Sequence, residues 1–574
     1  MTTGPPADLF VHWGFPFTWR QFERYWYLFS IGVILASMPF SKLGLSIGQL
    51  MILGGWIVER MAIREGTLRW LALPTGRRAA LFLPLFLWYV ARAILAGLKQ
   101  FAANRAALVF TSIFALHLAG LLYTTDFSYA FKDLRTKLPI LLLPVVFSTS
   151  EAFGRKAFYR FMLIFLAAVA VRSLFNAWLI AGHRYADIRD VSQNVSHIVF
   201  GLLLALGVYV LVFFILKRGW FRPWQRALFL VALAWLAAYL VISQSFTGVA
   251  VAVLTLLVLI PLLVLRTHRK RLRNILIAGF LAVNAALGFY LVNIVRDFYR
   301  VNPVDYKTVE MTTSRGNPYN HDYYNLEAEN GNLLWLYVQW DELREAWNRR
   351  SDIPFDSLNR RREPMHYTVV RFLNSKGWRK DADAVERLTP AEIAAIERGV
   401  ANYLFLDRFS IRGRIYEFLW GFEHYRKTGN PSGSSVMQRI EFWRASAGII
   451  RDHWLTGVGT GDMNLAFSEQ YEKMNTKLEP GQRWRSHNQF LSILVGFGIF
   501  GLAWFLWAIL WPARMLRRGN DYFFTVFIII LFLSMLTGDT IETQTGVSFF
   551  AVFYTLFLFA RGERDDILPA ENQT

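Results

Sequence analysis

Between Arg483 and Asn488 the chain sets two arginines, a histidine and an amide directly before an apolar run, Ser486-His487-Asn488-Gln-Phe-Leu-Ser-Ile-Leu-Val-Gly-Phe-Gly-Ile-Phe-Gly. Guanidinium groups at the mouth of a membrane helix present planar forks of donors that suit an anionic headgroup such as a phosphate or diphosphate, and the imidazole beside them reads equally as a satisfied interfacial side chain or as a chemical group of that site. His487 and Asn488 are therefore the catalytic candidates. Further cations fit the same chemistry: Arg135 and Lys137 in Lys-Asp-Leu-Arg-Thr-Lys-Leu-Pro, Arg439 on a stretch that also carries Trp443, Arg444 and Arg451, and Arg483 and Arg485 just before His487. Arg172 lies inside an apolar run, where a charge is costly unless it faces a polar cavity, and Tyr185, Asp187 and Asp190 follow it as expected neighbours. His197 opens another apolar run and reads first as an interfacial hydrogen-bonding residue, second as a base. For each cation alone, headgroup anchoring or a solvated surface is the simpler account; their convergence is what argues for a site. Gly457-Val-Gly459-Thr-Gly461 lacks the strand, the spacing and the Gly-Lys-Ser/Thr of a phosphate loop, so a turn is expected there. No His-Glu-x-x-His and no His pair at i, i+4 occurs, so no metal or other cofactor is expected, with Asp539 and Glu542 the only carboxylates that leave an opening.

The elements that would hold these residues are membrane helices. With 54% hydrophobic and 18% charged residues over 574 positions, the composition is that of an integral membrane protein. The formal charge of +20 is explained by cytoplasmic loops and contact with anionic membrane lipids before nucleic acid, and no nucleic-acid partner is expected. The absence of Cys removes disulfides, thiolate catalysis and Cys-ligated metals. Residues 1–23 show no signal-peptide pattern, so the first span is expected to act as the targeting signal.

Apolar runs read as spans at 24–39, 43–60, 106–123, 138–150, 158–181, 196–216, 226–243, 246–265, 274–297, 488–511, 521–537 and 545–561. Basic clusters at 155–160, 217–226, 266–273 and 514–518 mark cytoplasmic loops, which leaves 124–137, 182–195, 243–247, 298–487 and 538–544 external and both termini inside. Residues 79–98, apolar but with basic flanks on both sides, are read as a cytoplasmic interfacial or re-entrant helix with Arg92 snorkelling. Pro139 and Pro144 suggest that the short span at 138–150 is broken or tilted.

The polar segment 298–487 is too long for a structureless loop and is expected to be a helical cap. Thr389-Pro390-Ala391-Glu392 is a capping box, followed by Ile393, Ile396, Val400 and Leu404 on one face. A second helix is expected over 410–428, stopped by Gly429 and Pro431, and a third from Ser434 or Ser435 past Arg439 and Trp443. The expected fold is all-α: a polytopic bundle of about twelve spans divided into 1–297, a periplasmic cap at 298–487, and 488–574.

In order and topology these stretches resemble the O-antigen ligase and polymerase superfamily of bacterial inner membranes. The resemblance rests on Gln438-Arg439-Ile-Glu-Phe-Trp443, Gly457-Val-Gly459-Thr-Gly461, Ser486-His487-Asn488-Gln-Phe-Leu and Gly498-Ile-Phe-Gly501-Leu. It extends to Gly120-Leu-Leu-Tyr-Thr-Thr-Asp126, Asp133-Leu-Arg135-Thr-Lys137-Leu-Pro, Ser196-His197 and Glu542-Thr-Gln544-Thr-Gly546-Val, while the cap from about 300 to 430 diverges. It implies a GT-C-type glycosyltransferase that moves a glycan from undecaprenyl diphosphate to an acceptor, in ligases the lipid A–core oligosaccharide. His487 takes the place of the family's essential histidine and Arg439 that of a cap arginine. Where ligases often carry an arginine after a span, this chain reads Ser243-Gln244-Ser245-Phe246-Thr247-Gly248, which leaves that role to Arg172, Arg135 or Lys137.

On that reading His487 is a general base oriented by Asn488, and Arg135, Lys137, Arg439 and Arg485 clamp the diphosphate, with Arg172 in reserve and His197, Arg483, Trp443 and Glu542 as secondary candidates. In-line displacement would invert the anomeric centre without metal or nucleotide. The rivals are an O-antigen polymerase, a protein O-oligosaccharyltransferase and, from a different class, a lipid or ion transporter. The transporter would call for charges near the bilayer midplane and two related halves, which the sequence lacks.

Overall fold

A computed structural model of the chain describes residues 19–60, 75–182, 191, 195–217, 219–267, 270–407 and 410–567. The described residues are mostly helical, with a single two-stranded hairpin pairing Ala328–Glu329 and Asn332–Leu333. Eight helices among them are long and apolar enough to cross a membrane: Leu83–Ala103, Arg105–Tyr123, Arg155–Ala181, His197–Leu216, Pro223–Ile242, Thr247–Arg266, Lys270–Tyr299 and Gln489–Met515. This is a membrane protein. The spans expected at 24–39 and 43–60 fall in the helices Trp19–Ser37 and Lys42–Arg60, outside those eight, and the last two expected spans are the shorter apolar helices Tyr522–Thr537 and Gln544–Ala560.

The chain divides into two compact units, residues 1–276 with 439–574, and residues 277–438. The first is built on aromatic and aliphatic packing between helices far apart in sequence. Phe110 stacks on Tyr554 at 4.0 Å, and Phe158, Phe165, Phe214, Phe527 and Phe553 are buried in the same cluster. Polar ties fix the register: Trp56 Nε1 donates to Thr149 Oγ1 at 2.7 Å and Gln49 Nε2 to Ser548 Oγ at 2.9 Å. Hydrogen bonds between side chains gain from the lack of competing water in such a setting.

Several expectations need correction. Residues 127–137, expected as a loop, form the first turns of one helix, Phe127–Thr149, capped by Asp126, whose side chain accepts from Tyr129 N; the helix runs unbroken through Pro139 and Pro144. The stretch 79–98, expected as an interfacial helix or a re-entrant segment, belongs to a continuous helix, Thr75–Ala103, whose part Leu83–Ala103 is among the eight long and apolar enough to cross a membrane. The run after Asn488 is interrupted, because Gly498 takes φ 63° and ψ −165° inside Gln489–Met515. Segment 439–487, expected within the cap, belongs to the first unit. The N-terminal residues 1–18 and Tyr185, Asp187 and Asp190 lie outside the described residues.

The second unit has its own core, with Trp347, Phe355, Val369, Phe372, Leu373 and Ile396 fully buried. Its caps follow the sequence. Thr389 and Glu392 form the capping box at the start of Pro390–Glu397, and Ser410 caps Ile411–Thr428, which ends at left-handed Gly429. The Pro390 helix stops at Glu397, however, so Val400 and Leu404 lie beyond it, past Gly399 at φ 87°. Arg371 is buried against Glu329 through two hydrogen bonds of 2.8 and 2.9 Å and stacks 3.9 Å from the Trp420 ring. Pairing both guanidinium and carboxylate in this way is what allows the charges to be buried.

Candidate active site

Three segments of the first unit supply its polar centre: the start of helix Phe127–Thr149, residues 483–489, and the turn between Tyr522–Thr537 and Gln544–Thr555. The helical spacing of Asp133 and Lys137 puts both on one face, where they form a buried ion pair. Lys137 Nζ also reaches Glu542 Oε2 at 3.3 Å, and Arg485 Nη1 reaches the same oxygen at 3.4 Å. Gln489 completes the cluster, donating from Nε2 to Glu542 Oε1 at 3.1 Å and accepting from Ile541 N at 2.9 Å. Burial alone would raise the Glu542 carboxyl, but Lys137 and Arg485 outweigh it and hold the group well below the usual carboxylate range. The same carboxylate holds the Arg485 guanidinium protonated against the opposing effect of burial. Glu542 is thus a hub that fixes two cations.

His487 sits beside this hub. Its Nδ1 is 3.7 Å from Asp539 Oδ2, close enough for Coulomb attraction and longer than a hydrogen bond, and its side chain is 40% exposed. Asp539 is positioned by Ser492 Oγ at 2.7 Å and Ser486 Oγ at 3.3 Å. Burial lowers the His487 pKa below the ordinary 6.5; Asp539 opposes the shift, and Arg439 and Arg485 reinforce it. The ring is consequently neutral and proton-accepting at pH 7. His487 also takes φ +46°, a left-handed conformation that non-glycine residues rarely adopt. Trp443 Nε1 braces this backbone by donating to Ser486 O at 3.0 Å, and the Phe442 ring lies 5.5 Å from the imidazole.

The remaining expected residues distribute unevenly. Arg439 is half-buried and its charge reaches His487, and it has no ion-pair or hydrogen-bond partner among the described residues. Asn488 is occupied as a helix cap, accepting from Phe490 N and Leu491 N and donating to Leu536 O. Arg135 is exposed on the helix face opposite Asp133 and Lys137. Arg483 donates to Leu478 O at 3.2 Å, Arg444 pairs with Glu441, and Arg451 is exposed beside Asp452. Arg172 is buried against the Phe40 and Phe175 rings and donates to Val191 O at 3.4 Å, contacts that do not involve the Glu542 hub. His197 is half-buried at the start of His197–Leu216. Where the family arginine would stand, Ser245 caps the helix Phe246–Arg266 by accepting from Gly248 N at 3.3 Å.

The glycine-rich turn at 457–461 does lie between two helices, Ser435–Asp452 and Met463–Lys473, and it has a further role. Val458 N and Gly459 N donate to Val495 O and Gly496 O, each at 2.9 Å, and Ile499 N donates to Trp454 O at 2.9 Å. Gly496 and Gly498 therefore admit this loop, and a side chain at Gly457 would strike the backbone of Gly496 and Phe497. On its other side the turn is moored by Asp462, which accepts from Thr125 N, Asp126 N and the Thr124 hydroxyl at 2.8 to 3.0 Å. Asp462, Gln489 and Ser492 were not singled out in the sequence; the Thr-Thr-Asp stretch that binds Asp462 carried the one available signal.

No curated protein matches the chain. Residues 400–506, which contain Arg439, Trp443, Arg485 and His487, match the family model described as O-antigen ligase, and over that segment the chain is similar to that family.

Proposed function

We propose that the protein is a lipid-linked glycosyltransferase of the O-antigen ligase type, acting at the periplasmic face of the bacterial inner membrane. The donor is a glycan on undecaprenyl diphosphate and the acceptor a hydroxyl of lipid A–core or a related glycan. The observation that carries this reading is a neutral, part-exposed His487 beside an unpaired Arg439 and the Glu542-anchored cations, with His487, Arg439 and Arg485 inside the segment that matches the family. The sidedness comes from the basic loops at the opposite ends of the helices, and the full bundle is read as about twelve spans of GT-C type.

In the reaction His487 takes the proton of the acceptor hydroxyl as its oxygen bonds to the anomeric carbon, while the bond from that carbon to the diphosphate breaks. The configuration inverts and undecaprenyl diphosphate leaves with the bonding electron pair. Asp539 stabilises the imidazolium that forms. Arg439 and Arg485 neutralise the departing diphosphate, and Lys137 keeps Glu542 and Arg485 in place. Diphosphate is a good leaving group, so neither a general acid nor a metal is required.

The test is transfer from synthetic undecaprenyl-diphosphate glycan to purified lipid A–core in detergent with EDTA. Turnover by the native chain and its loss in His487→Ala is the expected result, and unchanged turnover in that variant sinks the assignment. Deleting the gene distinguishes the acceptor: accumulated lipid-linked polymer marks a ligase, single-repeat glycolipid a polymerase.

A further inference from the structure

At the end of helix Gln489–Met515 remote from His487, Arg514, Arg517, Gly519, Asn520 and Arg564 line a cavity of about 410 Å³. A fourth guanidinium borders it, since Arg266 Nη2 donates to Gly519 O at 3.1 Å; the Nη1 of that side chain is buried with no hydrogen-bond partner among the described residues. The acids nearby are already engaged. Asp566 takes Arg564 Nε at 3.1 Å, and Asp521 is buried against Arg561 and Arg518. The side chains of Arg514 and Arg517 have no hydrogen-bond or ion-pair partner among the described residues. Arg517 is held in place all the same: its backbone is left-handed at φ 53°, and its carbonyl accepts from Arg564 Nη1 at 3.3 Å.

A helix C-terminus favours a cation, which accounts for Arg514 by itself. It does not account for three further guanidinium groups converging from the segments at 266, 517 and 564. Like charges gathered around one cavity repel unless an anion sits between them, and guanidinium forks match the oxygens of a phosphate. Basic pockets at the ends of membrane helices are also where phospholipid headgroups dock.

We propose that this cavity binds a phosphate ester group, supplied by the headgroup of an anionic phospholipid or by a soluble phosphate compound. The site is separate from His487, and the inference stands whether or not the transferase reading holds.

The experiment is a thermal melt of the purified full chain in neutral detergent with three additions: phosphatidylglycerol, phosphatidylcholine, and inorganic phosphate against chloride at equal ionic strength. Each is repeated on Arg514→Gln with Arg517→Gln. A melting-temperature rise with phosphatidylglycerol alone that is lost in the double variant assigns the site to a lipid headgroup. A rise with inorganic phosphate that is lost in the variant assigns it to a soluble phosphate. No rise with either anion, or an equal rise in native and variant chains, overturns the proposal. If the glutamine pair does not fold, Arg514→Lys with Arg517→Lys keeps the charge and loses the fork; a reduced rise then supports the site and an undiminished one refutes it.

Discussion

The two ends of helix Tyr522–Thr537 are both dense in charge, and they are built on opposite principles. Past its C-terminus, Lys137 pairs with Asp133 and Glu542, Arg485 pairs with the same Glu542, and these largely buried pairs lie beside Asp539 and the part-exposed His487. At its N-terminus Arg518 and Arg561 share Asp521, and Arg155 and Lys217 share Asp565. Arginines remain in excess there, and some stay exposed. The first arrangement spends its ion pairs on holding groups in fixed positions beside one titratable ring. The second leaves cations uncommitted, which suits binding rather than chemistry. Buried pairs contribute position more than stability, because desolvation offsets much of their attraction.

The contrast makes specific demands. The largest effect is expected at His487: replacing it with Ala lowers the transfer rate by about 10²- to 10⁴-fold with the melting temperature unchanged, the range for a lost general base. Next is the hub. Glu542→Ala leaves Lys137 and Arg485 buried without their carboxylate and destabilises the fold by about 3–5 kcal/mol, read by thermal or denaturant unfolding. Adding Lys137→Met to that variant recovers part of the loss, and a strictly additive double variant would show that the pair is not coupled. Gly498→Ala forces a left-handed β-carbon against the Leu455 carbonyl and costs about 1–3 kcal/mol.

The smallest effects lie in the pH profile. With His487 as the proposed base only its deprotonated ring is competent, so kcat/KM is expected to rise with pH through a pKa that lies below 6.5. Arg439→Gln removes a charge that lowers this pKa and moves the acid limb to higher pH. Asp539→Asn removes one that raises it and moves the limb to lower pH. Limbs that stay in place in both variants would detach the histidine from the chemistry.

Much of this was legible without coordinates. Long apolar runs marked membrane helices, and Thr389, Ser410 and Gly429 marked the boundaries of the second unit's helices, because capping is local chemistry. Lys137, Arg439, Arg485 and His487 were legible as cations and a base near a membrane surface. Which of them bind and which only position was not, since that depends on Glu542, 405 residues from Lys137 along the chain. Asn488 and Arg135 show the same limit. A polar residue before a helix is equally a cap or a catalytic group, and a basic residue near a helix start can face either way.

The sequence by itself determined that this chain is a helical membrane protein with a polar segment inserted before its last apolar helices, because hydrocarbon admits only backbone whose hydrogen bonds are met within the segment. It also determined the family resemblance, through short motifs in a fixed order. Only the tertiary structure decided that the glycine turn at 457–461 is clamped between residues 124–126 and the break at Gly498, and that Asp539 and Glu542 stand beside His487. Those contacts join segments that are not neighbours along the chain, Thr125 and Asp462 being 337 residues apart. They arise from packing, which burial and charge pairing select and which no local pattern encodes.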